Sequence, residues 1–336
     1  MMKKTAIALG IAAIAFGAQA AEVFKNEDTT VQVNFDLQPY MANLQESATA
    51  TSRTYLLSDA QVQFKGSKKI SDDLTVFTQI ELDGDPIGDN ATLLTDDMRF
   101  GLSSKAWGTI QVGQFDSFME DELMEITNSF VISKKDLITE PTAANDGRHV
   151  LWNHKIGDFS FGVDYTMSAN AASSATDGNS GLAYTVAYSI GDLKLVAGTS
   201  TIATYKSDTY ANNTFKTAQG LGARYTLKSD AGVTQFNALS ATNTIYSATP
   251  AYDGGQVTYS SFSVVHTMGA WNVGVITSSR NYPATSSTVS AFGAQENAVQ
   301  VVYDLGKGAK VYAATANYGL STSVGNLTEV GFLMSF

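Results

Sequence analysis

The 336-residue sequence contains no cysteine, only five prolines and few charged residues. The absence of cysteine excludes a disulfide scaffold and any cysteine-based metal or redox site. Charged residues make up 16% of the chain, against about 25% in an ordinary soluble domain. The net charge is −11, which argues against nucleic acid as a partner because phosphate binding requires a basic face. The aromatic content of 10% argues against disorder.

Long apolar runs are also scarce, and the main one lies at the N-terminus. Lys3 and Lys4 precede an alanine-rich apolar stretch, and Ala-Gln-Ala at residues 18–20 has the small-residue pattern of a cleavage site. This order predicts a cleaved secretory signal peptide over residues 1–20 and a single mature domain over residues 21–336. The stretch is shorter than the roughly 20 residues of a membrane-spanning helix. Any membrane crossing by the rest of the chain therefore requires a closed barrel.

Alternation of apolar and polar residues, the pattern of a strand with one apolar face, extends through most of the chain. In the segment 31–38, valine, phenylalanine and leucine alternate with glutamine, asparagine and aspartate. The pattern predicts sixteen strands, at residues 29–38, 54–66, 74–83, 97–104, 109–115, 148–154, 159–168, 181–190, 193–201, 217–228, 233–240, 256–266, 271–279, 294–304, 309–317 and 328–336. The alternation leaves the apolar face ambiguous around 148–154, 233–240, 256–266 and 309–317.

The connections between these strands alternate between seven short turns and eight long loops. Outer-membrane barrels have short periplasmic turns, long outer loops and an even number of strands, whereas a soluble β-sandwich has no reason to alternate in this way. We therefore predict a transmembrane, sixteen-stranded antiparallel β-barrel, with its apolar face toward lipid and its polar face toward an aqueous channel. Aromatic residues near the predicted strand ends are expected at the headgroup levels: Tyr40, Tyr55, Trp107, Trp152, Trp271 and Tyr303.

Three segments resemble the Gram-negative general (diffusion) porin family. Phe-Lys-Gly-Ser at 64–67 followed by residues 74–81 is similar to one strand–turn–strand unit of the family. Phe-Gly-Leu at 100–102 followed by Trp-Gly-Thr-Ile-Gln-Val-Gly at 107–113 resembles the next hairpin, and the last strand ends on Phe336 as outer-membrane barrels do. The resemblance implies a homotrimeric outer-membrane channel for passive diffusion of small hydrophilic solutes and ions, with a long third loop folded into the pore.

That third loop, residues 116–147, is the longest connection and is strongly acidic. It holds eight carboxylates against two lysines. The expected pore constriction consists of its first five acids, Asp116, Glu120, Asp121, Glu122 and Glu125. Apolar residues give the loop a face for packing, and residues 120–126 are long enough for one or two helical turns.

The wall opposite the loop is expected to carry cations and so to create a transverse field. Alternation places Lys65 and Arg99 on the lumen side with Arg53 above them, and Arg148 and Arg224 are further candidates. Rings of carboxylates favour cations, and a low-dielectric wall focuses their field. Together with the net charge, the acidic loop predicts a mild preference for cations.

Two other functions remain open. A channel selective for sugars or oligosaccharides would need aromatic rings in the lumen, for which the candidates are Phe77, Phe115, Phe118 and Phe130. An outer-membrane barrel enzyme is the other alternative, but the sequence has three histidines and none of the common catalytic motifs, so we expect no enzymatic activity.

No cofactor and no metal site are expected. Asp83, Asp85 and Asp89 offer oxygen ligands, but their spacing is not that of an EF-hand, and an ordinary acidic loop is the simpler interpretation. Lipopolysaccharide and outer-membrane lipid are expected partners of the outer surface.

Overall fold

The computed structural model of the chain describes residues 21–45, 51–84, 94–127, 130–131, 147–167, 181–201, 214–246, 254–282, 292–320 and 323–335. The predicted signal peptide lies outside these residues.

The described residues form seventeen β-strands and a short helical segment. Sixteen of the strands correspond one by one to the predicted strands. The strands are β1 (Ala21–Lys25), β2 (Thr29–Gln45), β3 (Arg53–Lys69), β4 (Leu74–Gly84), β5 (Leu94–Ser104), β6 (Gly108–Phe115), β7 (Gly147–Ile156), β8 (Phe159–Met167), β9 (Gly181–Ile190), β10 (Leu193–Thr201), β11 (Thr214–Ser229), β12 (Gly232–Tyr246), β13 (Gln256–Met268), β14 (Trp271–Tyr282), β15 (Phe292–Gly306), β16 (Ala309–Leu320) and β17 (Ser323–Ser335).

Strands β2 to β17 form a closed antiparallel barrel. Each strand pairs with the next along the chain, and β17 returns to pair with β2, for example through Val330 opposite Met41. Closure leaves no unpaired sheet edge, which is the condition for a sheet to cross a bilayer. The predicted sixteen-stranded antiparallel barrel is therefore confirmed.

The short strand β1 was not predicted. The pairing of β17 with β2 reaches Ser335 opposite Asp36, and β1 pairs with β2 from Ala21 opposite Val33. Strand β1 therefore occupies the edge of β2 beyond the end of β17. Five residues are too few for a periodic pattern to stand out in the sequence, so this strand depends on the tertiary pairing.

Several strands are also longer than predicted. Strand β2 continues to Gln45 and β12 to Tyr246, seven and six residues beyond the predicted ends. The backbone ladder of β12 with β11 continues up to Tyr246 opposite Thr214. Residues 241–246 contain three polar residues, and alternation fades there although the backbone pairing does not depend on it.

The outer face of the barrel is apolar. Large hydrophobic side chains such as Phe100, Leu221 and Val330 are about half exposed or more, and they alternate with side chains that point into the barrel. Lipid contact stabilises such side chains, whereas water would not. Separately, none of the helices in the described residues is long and apolar enough to cross a membrane.

Aromatic residues concentrate on the outer face near the short turns. The Trp152 indole N–H donates to the carbonyl oxygen of Trp107 at 2.8 Å, and the rings of Trp271 and Tyr303 lie 4.6 Å apart. The expectation for Tyr40 and Tyr55 was wrong. Both lie on the inner face, because their neighbours Met41 and Leu56 pair with each other on the outer face.

The inner face is polar only on part of the wall. On β4 and β5 it carries groups such as Glu81 and Asp97, but on β9 to β16 it carries many small or apolar residues, among them Ala187, Val196 and Leu239. Strands with apolar residues on both faces do not show which face points outward. This explains the ambiguous alternation around 233–240, 256–266 and 309–317.

Candidate functional site

The chain that follows β6 forms a short two-faced helical segment, which confirms the predicted helical turns. Helix α1 spans Phe118–Glu122, and a 3-10 turn spans Met124–Thr127. Ser117 caps α1, since its hydroxyl oxygen accepts the backbone N–H of Glu120 at 3.1 Å. An N-cap of this kind satisfies one of the unpaired N–H groups of the first turn.

The apolar side of this segment is buried against the inner wall of the barrel. Met119, Leu123, Met124 and Ile126 are at most 2% exposed. They form one cluster with inward-facing residues of β9 to β13: Ala183, Ala187, Val196, Ala218, Leu239, Ala241, Val257 and Tyr259. Full burial of each such side chain contributes about 1.5–3 kcal/mol.

Further along the loop, Phe130 and Val131 pack against a second part of the wall. Phe130 belongs to a buried cluster with Ile276 on β14 and Ala298 on β15. The backbone of Val131 bonds to Gln300 on β15 and Gln38 on β2. The described loop residues thus follow the inner wall from β8 round to β2 and leave the wall of β3 to β5 uncovered.

The predicted constriction acids are not equivalent in the structure. Asp116 and Asp121 are exposed, and Glu120 and Glu125 are partly buried. Glu122 pairs with Lys194 on β10, so its charge is largely compensated by the wall. No local pattern in the sequence distinguishes Glu122 from the neighbouring acids.

Asp121 has a strongly perturbed carboxyl group. Its side chain reaches the water of the lumen, but protein surrounds the carboxyl on several sides. This partial loss of hydration, together with the negative charge of Glu125, raises the pKa of Asp121 to about 7, although Arg99 acts in the opposite direction. The carboxyl therefore ionises near neutral pH.

Three of the predicted basic residues have inward positions. Arg99 lies on the inner face of β5, between the outward Met98 and Phe100, and pairs with Asp97. Its guanidinium carbon lies 5.3 Å from the centre of the Phe115 ring. Lys65 has the same orientation on β3, and Arg53 shares its parity at the long-loop end of that strand.

The prediction for Arg148 was wrong. It lies on β7 with the same parity as Val150 and Trp152, whose side chains are exposed on the outer face, whereas His149 and Leu151 are buried inside. Strand β7 has apolar residues on both faces, so the alternation could not show on which side Arg148 lies.

The sequence predicted a wall of cations opposite the loop. The uncovered wall in the structure does not consist mainly of cations. Five inward carboxylates on β2 to β5 outnumber the three predicted bases that point inward on the same strands: Asp36, Asp59, Glu81, Asp83 and Asp97. Three of them line a recess of about 290 Å³ together with Gln38 and Gln61. Glu81 accepts hydrogen bonds from the amides of Gln61 and Gln63.

The side chains of Glu81 and Asp83 lie close to a third carboxylate, that of Asp96. Single carboxylate oxygens of Glu81, Asp83 and Asp96 lie within 4.8 Å of one another. Asp85 and Asp89, the other oxygen ligands considered from the sequence, lie outside the described residues. The arrangement adds negative charge to the wall without supplying a reason to expect a bound metal.

Several buried or partly buried polar residues of the inner wall were not singled out from the sequence as such. His149 Nδ1 lies 2.7 Å from Asp164 Oδ1 in a buried pair, and Arg280 pairs with Glu296 at 3.3 Å. Arg224, a weaker candidate for the basic wall, donates instead to the carbonyl oxygen of Ile126 at 2.9 Å. These residues have inward parity, but a strand pattern does not show which inward residues will be buried.

The aromatic residues proposed for a sugar path are mostly used in packing. Phe115 and Phe130 are buried, at 1% and 6% exposure, and the ring of Phe118 covers Gly162. Phe77 lies against Gly101 on the neighbouring strand. These four rings do not form a continuous exposed row.

The fold and the loop describe a closed barrel with an apolar outer face and charged groups in its interior. The sequence model of the family "Gram-negative porin" matches residues 5–323 of the chain. The chain therefore belongs to the Gram-negative porin family and is an outer-membrane β-barrel channel. The family and the fold favour a channel over an enzyme. A comparison with curated protein sequences gave no match.

Solved porin structures share the fold at low sequence identity. OmpF of Salmonella typhi in complex with daunomycin superposes with a TM-score of 0.72 at 14% identity, covering 93% of this chain and 99% of that chain. An anion-selective porin from Comamonas acidovorans gives a TM-score of 0.71 at 14% identity, covering 92% and 100%. The in-vitro folded outer membrane protein OmpT of Vibrio cholerae gives 0.67 at 12% identity, covering 93% and 99%.

Proposed function

We propose that this protein is a diffusion pore for small hydrophilic solutes and ions with a mild preference for cations, and that its third loop narrows the pore. The observation that carries the proposal is the charge on the two sides of the lumen. Asp121 on the loop interacts electrostatically with Arg99 and Asp97 on β5, so the loop and the uncovered wall face each other. Carboxylates predominate on both.

This arrangement stabilises a cation throughout the narrow region. The interaction between two unit charges 4 Å apart is about 1 kcal/mol in bulk water and about 4 kcal/mol near a protein surface. Arg99 and Lys65 reduce the negative potential locally, and Lys194 compensates Glu122. The balance predicts a preference for cations rather than exclusion of anions.

Planar-bilayer recording tests the proposal. The purified protein is inserted, the single-channel conductance is measured, and the reversal potential is read under a KCl gradient at neutral pH. A reversal on the cation side supports the proposal, and a reversal on the anion side refutes the assigned selectivity. Channels that close in three equal steps support the homotrimer, which we propose from the family alone.

Three further proposals concern export, lipid and substrates. Residues 1–20 are proposed as the signal peptide that directs export. The apolar outer face is proposed to contact outer-membrane lipid and lipopolysaccharide. A sugar-selective pore is the second candidate function, and block of the current by micromolar oligosaccharide would favour it.

The enzyme alternative has one supporting feature, the His149–Asp164 pair, but both residues are buried, at 0% and 1% exposure.

A further inference from the structure

The inner wall contacts the loop through the same combination of residues at three places. At each place a wall glycine leaves room for a loop side chain, and a polar wall residue next to that glycine bonds to the loop backbone. We call these places stations. Each is defined below by its glycine and its polar residue.

The first station lies on β8 and consists of Gly162 and Asp164. A Cβ atom at Gly162 would lie 2.0 Å from Cδ1 of Phe118, so only glycine fits beneath the ring. The Asp164 carboxylate accepts the backbone N–H of Phe118 at 3.4 Å, and its other oxygen lies 2.7 Å from Nδ1 of His149. This station holds the start of α1.

The second station lies on β11 and consists of Gly222 and Arg224. A Cβ atom at Gly222 would lie 3.0 Å from methyl groups of Ile126 and Leu123. The Arg224 guanidinium donates to the Ile126 carbonyl oxygen at 2.9 Å and to Asn237 at 2.8 Å. As in the first station, the two residues are two positions apart and therefore share the inner face.

The third station spans β14 and β15 and consists of Gly274 and Gln300, which pair directly across the two strands. A Cβ atom at Gly274 would lie 3.1 Å from Cζ of Phe130. The Gln300 side-chain oxygen accepts the backbone N–H of Val131 at 2.8 Å. Gln38 donates to the carbonyl oxygen of Val131 at 2.8 Å from the other side.

We propose that the three stations are positioning devices that hold the loop against the wall and so keep the pore open with its acidic face fixed. The wall bonds the loop through backbone atoms, and a buried donor or acceptor left without its partner is costly. Detachment at one station would therefore be rare in the native protein. This inference rests on the proposal that the loop narrows the pore, because only then does a detached loop interrupt the current.

The first test is a double-mutant cycle on the first station. Gly162→Ala places a methyl group inside the Phe118 ring position, so we expect frequent current interruptions in single-channel recordings. Phe118→Ala removes the ring, so adding Gly162→Ala to that variant should have little further effect. Gly66→Ala is the matched control, because a Cβ there meets only an ordinary contact at 3.4 Å. An equal effect of Gly162→Ala in both backgrounds would overturn the inference.

The second test addresses the polar residue of the second station. Arg224→Met keeps the length of the side chain and removes its donors. We expect interruptions roughly tenfold to a hundredfold more frequent, the factor for losing one hydrogen bond from a charged donor. Arg148→Met, on the outer face, is the control. If the Arg224→Met barrel folds and its current is interrupted no more often than that of the wild type, the proposal is contradicted.

These readouts separate the two proposals. Reversal potentials report selectivity, whereas interruptions report the attachment of the loop. An anion-side reversal with the expected interruptions would refute the proposed selectivity and leave the stations supported. A cation-side reversal, together with variants whose currents are not interrupted more often than in the wild type, would support the proposed selectivity and refute the role of the stations.

Discussion

The charge state of Asp121 predicts that ion selectivity changes with pH near neutrality. A carboxyl with a pKa of about 7 carries roughly one tenth of a negative charge at pH 6 and roughly nine tenths at pH 8. Because the pKa is raised, the charged form is present above pH 7 and is lost as the pH falls through that value. The cation preference of the wild-type channel should follow the same direction.

The size of the change follows from the interaction of that charge with passing ions. One unit charge about 4 Å from an ion contributes about 1 kcal/mol even in bulk water, with opposite signs for cations and anions. The change of about 0.8 charge alters the difference between cation and anion by about 1.6 kcal/mol. Since about 1.4 kcal/mol corresponds to a tenfold ratio, the cation-to-anion permeability ratio should rise on the order of fifteenfold between pH 6 and pH 8.

The assay is the reversal potential under a KCl gradient, measured at half-unit pH steps from pH 5.5 to 8.5 for the wild type and for Asp121→Asn. The variant should lack the step near pH 7 and should resemble the wild type at pH 6. Asp230→Asn removes one exposed charge from a short turn between β11 and β12 and should keep the step. A step of full size in Asp121→Asn would show that another group produces it.

Two other substitutions test the charges around the narrow region. Arg99→Ala removes an inward cation and should increase the cation preference, whereas Arg148→Ala, on the outer face, should leave the reversal potential unchanged; equal shifts in both would contradict the assigned faces. Glu122→Gln should change selectivity less than the aspartate variant above at pH 8, because Lys194 already compensates Glu122. An equal or larger shift would show that the pair is broken in the working channel.

The strands could be predicted from the sequence because lipid imposes a strict rule on one face. Every outward position within the bilayer must be apolar, so segments such as 159–167 show their parity directly. The same parity placed Arg99 and Lys65 on the inner face. Where apolar and polar residues occur on both faces, as on β7 with Leu151 inside and Arg148 outside, the rule no longer identifies the faces, and Arg148 was assigned to the wrong one.

The loop illustrates the same limit. Its apolar residues and its helical turns were visible in the sequence, since Met119, Leu123 and Ile126 recur at helical spacing. The residues that receive them lie on several different strands, and nothing local to those strands indicates a covering loop. Gly162 and Gly222 look like ordinary strand glycines until the side chains opposite them are known.

The carboxylates on the uncovered wall change the electrostatics that was predicted from the sequence. A transverse field requires opposite charges on the two sides of the lumen, but here Asp121 faces a wall where Glu81, Asp83 and Asp97 accompany Arg99. Negative charge on both sides gives a negative potential throughout the narrow region. The electric field across the channel is weak, because the contributions of the two sides oppose each other. Such a field distinguishes solutes by net charge and does little to orient a dipolar solute. Selectivity should therefore depend on the number of ionised carboxylates, and Asp121, a loop carboxyl that titrates near neutral pH, is one whose charge can vary under physiological conditions.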